Sequence, residues 1–170
     1  MTGLLLKTRS LVDYYERATL WLALLSGLIL TAMAFTTVTS VAGRYFFASP
    51  IDGDTEIVQM FTAVVVALAL PYCQMRLGNV IVDVLTASAP ARVRLFLDVV
   101  GSLLLAILFY FLATQAYEGG LAAQKYSNET MMLRMKEWWF YMTISFGFTL
   151  TSIAGFIKPI AIYADYKGVK

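Results

Sequence analysis

Charge divides the chain into four long apolar windows joined by short polar segments. No Asp, Glu, Lys or Arg lies between Arg17 and Arg44, between Glu56 and Arg76, between Asp98 and Glu118, or between Glu137 and Lys158. The hydrocarbon core of a bilayer takes about 20 apolar residues per helix. A charge at the centre of such a helix costs roughly 2.5 to 3.5 kcal/mol on insertion scales, so a window this long without one is the mark of a spanning helix. The pattern predicts an all-α membrane protein, a single four-helix transmembrane domain over residues 1–170 with spans near 18–43, 56–76, 95–118 and 138–158.

The segments between the windows carry weaker patterns. Residues 4–17, LLLKTRSLVDYYER, set Leu4, Leu11, Val12 and Tyr15 near one helical face with charges elsewhere, which predicts a short interfacial helix at the N-terminus; a free tail is the alternative. A signal peptide ending at Ala32-Met33-Ala34 is opposed by Asp13 and Glu16, which sit among the bases that precede the apolar run. The second loop, RLGNVIVDVLTASAPARVRLFLD, is too polar to span and too apolar to float free, and a lone strand at bilayer level would leave backbone groups unsatisfied. A short interfacial helix or packed turn is expected there, with Pro90 in the first turn of a third helix that begins ahead of its charge-free window. Trp138, Trp139 and Tyr141 stand where the fourth helix enters the bilayer, as an aromatic belt does.

Composition agrees with a bilayer as solvent: 59% of residues are hydrophobic, 14% are charged, and the mean hydropathy is +0.71. The net charge of +2 is scattered rather than gathered on one face, which gives no footprint for nucleic acid. Its distribution says more. Nine Lys and Arg flank the windows on the side of the termini and second loop, and four lie on the side of the first and third loops. By the positive-inside rule both termini are cytoplasmic and the stretch GRYFFASPIDGDTEIVQM, residues 43–60, faces outward.

Several chemistries are excluded by what is missing. There is no histidine, which removes paired-histidine haem ligation, His-based triads and the common zinc sites. Cys73 is the only cysteine, and no glycine run has phosphate-loop spacing. Ionisable residues inside a membrane mark ion and substrate paths, yet none lies deep in these windows. Pro71 could kink the second helix and free a carbonyl for an ion, a packing kink with its backbone satisfied by neighbours being the alternative. Hydroxyls line the first helix (Thr31, Thr36, Thr37, Thr39, Ser40) and the fourth (Thr143, Ser145, Thr149, Thr151, Ser152). With the small residues Gly27, Ala34 and Gly147 they predict close helix association, a polar permeation path being the alternative.

At this point the order of motifs resembles a known family. Arg44, Ser49-Pro50, the acidic stretch ending in Glu56, the run Arg76-Leu77-Gly78-Asn79-Val80-Ile81-Val82-Asp83, then Pro90, Ala91, Arg92 and Asp98, and finally Glu137-Trp138-Trp139-Phe140-Tyr141 look like the small membrane subunit of tripartite ATP-independent periplasmic (TRAP) transporters, the DctQ-like family. The resemblance covers roughly residues 15–160. Two positions depart from it: Asn79 stands where the family commonly has histidine, and Asp52, Asp54 and Glu56 lack the family's accompanying tryptophan.

The resemblance implies a non-enzymatic, cofactor-free component of a secondary transporter in the cytoplasmic (inner) membrane of a bacterium or archaeon. Its implied partners are a large DctM-like membrane subunit, which carries the substrate and sodium sites and moves as an elevator, and a periplasmic binding protein that delivers an organic acid. The small subunit would scaffold the large one. An autonomous four-helix carrier or channel, or an anchoring subunit of another membrane complex, are the alternatives. On this chain Arg44 and Glu56 are expected to pair across the first hairpin, with Asp52 and Asp54 exposed for the binding protein, solvated loop charge with no partner being the alternative for the two aspartates. Arg76, Arg92, Arg94, Trp138 and Trp139 are expected to anchor the chain to membrane lipids and the interface, a pure orientation signal explaining the three arginines equally well.

Overall fold

With no water in the bilayer core, each backbone N–H and C=O of a spanning segment must be satisfied internally, and a single segment does this as an α-helix. The computed structural model describes the backbone of residues 2–47, 52–76 and 91–168, and the side chains of 12–47, 52–76, 93 and 96–159. It contains α1 (Thr2–Phe47), α2 (Asp54–Met75), α3 (Ala91–Lys125) and α4 (Trp138–Gly168). Each charge-free window lies within one helix, and all four helices are long and apolar enough to cross a membrane. Among the described residues no strand forms; one isolated bridge, Glu129 to Lys136, ties the loop between α3 and α4.

The N-terminal segment departs from expectation. It is not a separate interfacial helix but continues without a break into α1, which runs for 46 residues. At 1.5 Å per residue that is about 69 Å, roughly twice the hydrocarbon thickness, so α1 overshoots the bilayer. Nothing between Leu11 and Thr19 breaks a helix: the segment lacks Gly and Pro. Tyr15 then ties this end to the bundle by donating its hydroxyl to the Leu150 carbonyl of α4. The expected interfacial element of the second loop, with Asn79, Asp83 and Pro90, lies outside the described residues. As expected, α3 begins ahead of its window, at Ala91.

The helices stand in the order α1, α2, α4, α3. The most extensive packing is between α3 and α4, then between α2 and α4 and between α1 and α2, while α1 touches α4 only slightly. Among the described residues no comparable packing joins α1 to α3, so there the row stays open. Lipid tails are as apolar as leucine, so association rests on close backbone approach and hydrogen bonds. Both are seen along α4. Ser145 and Ser152 are buried and donate to the carbonyls of Ala113 and Ala106 on α3, at 2.9 and 2.8 Å. Gly155 meets the Ala106 side chain and Ser102 carbonyl of the same helix.

On its other side α4 meets α2 through Gly147. Pro71, buried inside α2, has no N–H to give the carbonyl of Ala67 one turn before it. That carbonyl faces Gly147, where a β-carbon would stand only 2.4 Å from its oxygen. The kink residue foreseen at Pro71 and the small residue foreseen at Gly147 thus belong to one contact. Gly27 and Ala34 do not share this role: both are exposed, and nothing lies within 4 Å of a β-carbon built on Gly27.

Candidate functional site

The charged residues gather at the two ends of the row. At the first end, the turn after α1 contains Asp52 and Gly53, and Gly53 takes φ 79°, a left-handed conformation that glycine adopts without a Cβ penalty. This turn starts α2 with Asp54 and Glu56 in its first turn, where the helix dipole favours negative charge. Asp54 reaches back to α1, accepting a hydrogen bond from Ser40 Oγ at 2.6 Å. Ser40 is wholly buried.

Glu56 does not pair with Arg44. Its two carboxylate oxygens accept the backbone N–H groups of Met132 and Leu133, at 2.8 and 3.0 Å, from the loop between α3 and α4. Arg44 stands on the last turn of α1, and the Asp54 carboxyl is held below its usual range chiefly by its hydrogen bonds to Ser40 and Thr55, with the charge of Arg44 only a minor contributor. The physical reason is geometric. Two adjacent N–H groups at a tight turn match the two oxygens of one carboxylate, whereas Arg44 is an exposed side chain that water solvates well. Asp54 also differs from the expected free charge, being half-buried and turned toward Ser40. Asp52 is exposed, as expected.

The loop that Glu56 holds is itself cross-braced. Thr130 N–H donates to the Met135 carbonyl, and Met135 N–H donates to Thr130 Oγ1, at 3.0 and 3.1 Å. Ser127 and Arg134 take positive φ of 51° and 49°. The tip, Met131, is almost fully exposed at 97%. Leu133 folds down over Gly53, where a β-carbon would lie 2.6 Å from its Cγ. The first and third loops are therefore locked twice, by Glu56 on backbone and by Leu133 on glycine. Trp138 and Trp139, at the start of α4, stack on each other with ring centroids 4.4 Å apart.

At the opposite end Arg76 follows the last residue of α2. Its Nε lies 3.0 Å from Glu16 Oε1 on α1 and donates to the Tyr72 hydroxyl at 3.2 Å. The guanidinium also lies over the Tyr72 ring, 5.6 Å from its centroid. Arg76, expected as a lipid anchor, is thus tied first to α1. The side chains of Arg92 and Arg94 lie outside the described residues.

Sequence reasoning missed Ser40, Leu133 and Glu16 as partners. The Asp52-Gly53 dipeptide is a turn signal that marks the glycine. Nothing in the local sequence marks Leu133, whose partner is far away in the chain. Among the described residues no cluster of His, Cys, Asp and Glu could hold a metal. The buried polar side chains there are hydroxyls and Gln74, several of them bonded to helix carbonyls.

Comparison with curated proteins and with solved structures returned no match. A family model described as "Tripartite ATP-independent periplasmic transporters, DctQ component" matches residues 33–160, most of the chain, from the middle of α1 into α4. The match takes in both locks at the Glu56 end, the Pro71 and Gly147 contact and Arg76. The chain belongs to the DctQ family, the small membrane component of TRAP transporters.

Proposed function

We propose that this chain is a static scaffold for the large, DctM-like membrane subunit of a transporter that takes up organic acids by ion coupling. In this reading a periplasmic binding protein delivers the substrate, and the Arg76 end of the row faces the cytoplasm of a bacterial or archaeal inner membrane. Substrate and coupling-ion sites belong to the large subunit. Asp52 and the exposed loop tip at Met131 face the binding protein.

The observation that carries this reading is the open row of helices. A carrier that works alone needs a path enclosed by its own helices, whereas among the described residues α1 and α3 stand at the two edges with no extensive packing between them. Both edges present large apolar side chains outward, among them Leu28 and Phe35 on α1 and Leu104 and Ile107 on α3. A second polytopic subunit can be received on such an edge. The ties at both ends and at Gly147 suit a part against which another part moves.

The test is a mild-detergent pull-down of the tagged chain from its native membranes, followed by mass spectrometry and transport by reconstituted proteoliposomes. The expected result is a large polytopic subunit in about one-to-one ratio, with uptake only when both are present. Uptake by this chain alone would refute the scaffold reading.

A further inference from the structure

We propose that the cleft between α1 and the Arg76 end of α2 binds the headgroup of a zwitterionic membrane phospholipid that carries a primary ammonium. The cleft has a volume of about 390 Å³ and is lined by Asp13, Glu16, Arg17, Leu20, Tyr72 and Arg76. Its size falls in the range of small-ligand sites, roughly 300 to 1,000 Å³.

Its depth and its charges point to one kind of ligand. Arg17 is the last charge before the α1 window and Arg76 the first after the α2 window, so the cleft sits at the level where lipid headgroups lie. Two carboxylates and two guanidinium groups line it. An anionic headgroup would be drawn by Arg17 and Arg76 and repelled by Asp13 and Glu16. A phosphate with an ammonium a few bonds away satisfies both pairs. Arg76 meets Glu16 and Tyr72 through Nε, and its terminal nitrogens carry four further N–H donors suited to phosphate oxygens. Asp13 is exposed and accepts the N–H donors of the ammonium.

A route for the acyl chains leaves the same cleft. Leu20 lines it, and Leu24 and Leu28 follow at four-residue intervals on the same face of α1, with exposures rising from 36% to 55% and 68%. A headgroup held among the charges places its tails along this stripe. The lipid assignment is independent of the scaffold reading, since a chain acting alone would present the same cleft.

The experiment is native mass spectrometry of the full chain, with any subunits that co-purify, after delipidation and addition of dioleoyl phosphatidylethanolamine, dioleoyl phosphatidylglycerol or soluble glycerophosphoethanolamine. The wild type is expected to favour phosphatidylethanolamine over phosphatidylglycerol by about fivefold, the ratio that roughly 1 kcal/mol per interfacial charge gives. Asp13→Asn leaves the cleft with one net positive charge and should move that ratio toward phosphatidylglycerol. Asp13 is exposed, so this variant keeps the fold, checked by circular dichroism. Equal retention of the two lipids by the wild type, or a ratio unchanged in Asp13→Asn, would overturn the proposal. So would soluble headgroup binding as tight as that of the intact lipid, which would assign the cleft to a soluble ligand.

Discussion

A single methyl group at Gly147 should separate two helices. In Gly147→Ala the new carbon would lie 2.4 Å from the Ala67 carbonyl oxygen, 2.7 Å from its carbon and 2.9 Å from the Ala67 side chain. A carbon meets a carbonyl oxygen comfortably at about 3.3 Å, which leaves a shortfall of about 0.9 Å. The nearest obstacles are backbone atoms of α2, so no rotamer change relieves them; the helices must move apart. Overpacking of this kind costs about 1 to 3 kcal/mol.

Reversible unfolding in mixed micelles, titrated with SDS and followed by circular dichroism, reads that cost. The same substitution at Gly27, which meets nothing within 4 Å, should be neutral or stabilising by up to about 1 kcal/mol, because alanine loses less backbone entropy in a helix. Pro71→Ala supplies the missing N–H to Ala67 and draws the carbonyl back toward its own helix. Paired with Gly147→Ala it should recover part of the loss, with a coupling of at least about 0.5 kcal/mol. A Gly147→Ala variant within about 0.5 kcal/mol of wild type, or no coupling to Pro71→Ala, would refute the argument.

Other outcomes follow from the same contacts. Gly53→Ala should destabilise by about 1 to 3 kcal/mol, since it adds left-handed strain to a 2.6 Å clash with Leu133; Leu133→Ala should relieve the clash but not the strain, so rescue measured by the same titration should be partial. Glu56→Gln replaces one of two charged acceptors by an amide and should speed hydrogen exchange at the Met132 and Leu133 amides, whereas Arg44→Ala should leave them unchanged; the reverse result would restore the Arg44 and Glu56 pair. Ser145→Ala and Ser152→Ala should each cost about 0.6 kcal/mol, the usual size of an interhelical hydrogen bond in a membrane. A loss of several kcal/mol from either would mean that the hydroxyl does more than bridge α3 and α4.

How much of this molecule can be read from its sequence depends on the range over which each property acts. Hydropathy is a local sum, and the cost of a buried charge applies residue by residue, so the windows between Arg17 and Arg44 and their three successors determine four spans without reference to any neighbour. The DctQ likeness is legible for the same reason, being carried by an ordered series of short motifs. The N-terminal helix was legible as a helix, but its continuity with α1 was not, because charged residues in a helical stretch look alike whether the helix lies on the membrane or projects from it.

Partner choice belongs to the tertiary structure alone. In hydrocarbon an apolar face is equally content against lipid or protein, so periodicity does not mark the packed side of a helix. Gly27 and Gly147 are the same residue in similar surroundings along the chain, yet only the second meets a neighbour, and it does so because Pro71 has freed a carbonyl 80 positions earlier, at Ala67. Glu56 likewise looked bound for Arg44, the nearest base in sequence. Its oxygens went instead to two N–H groups 76 and 77 residues away, which only the loop fold brings side by side.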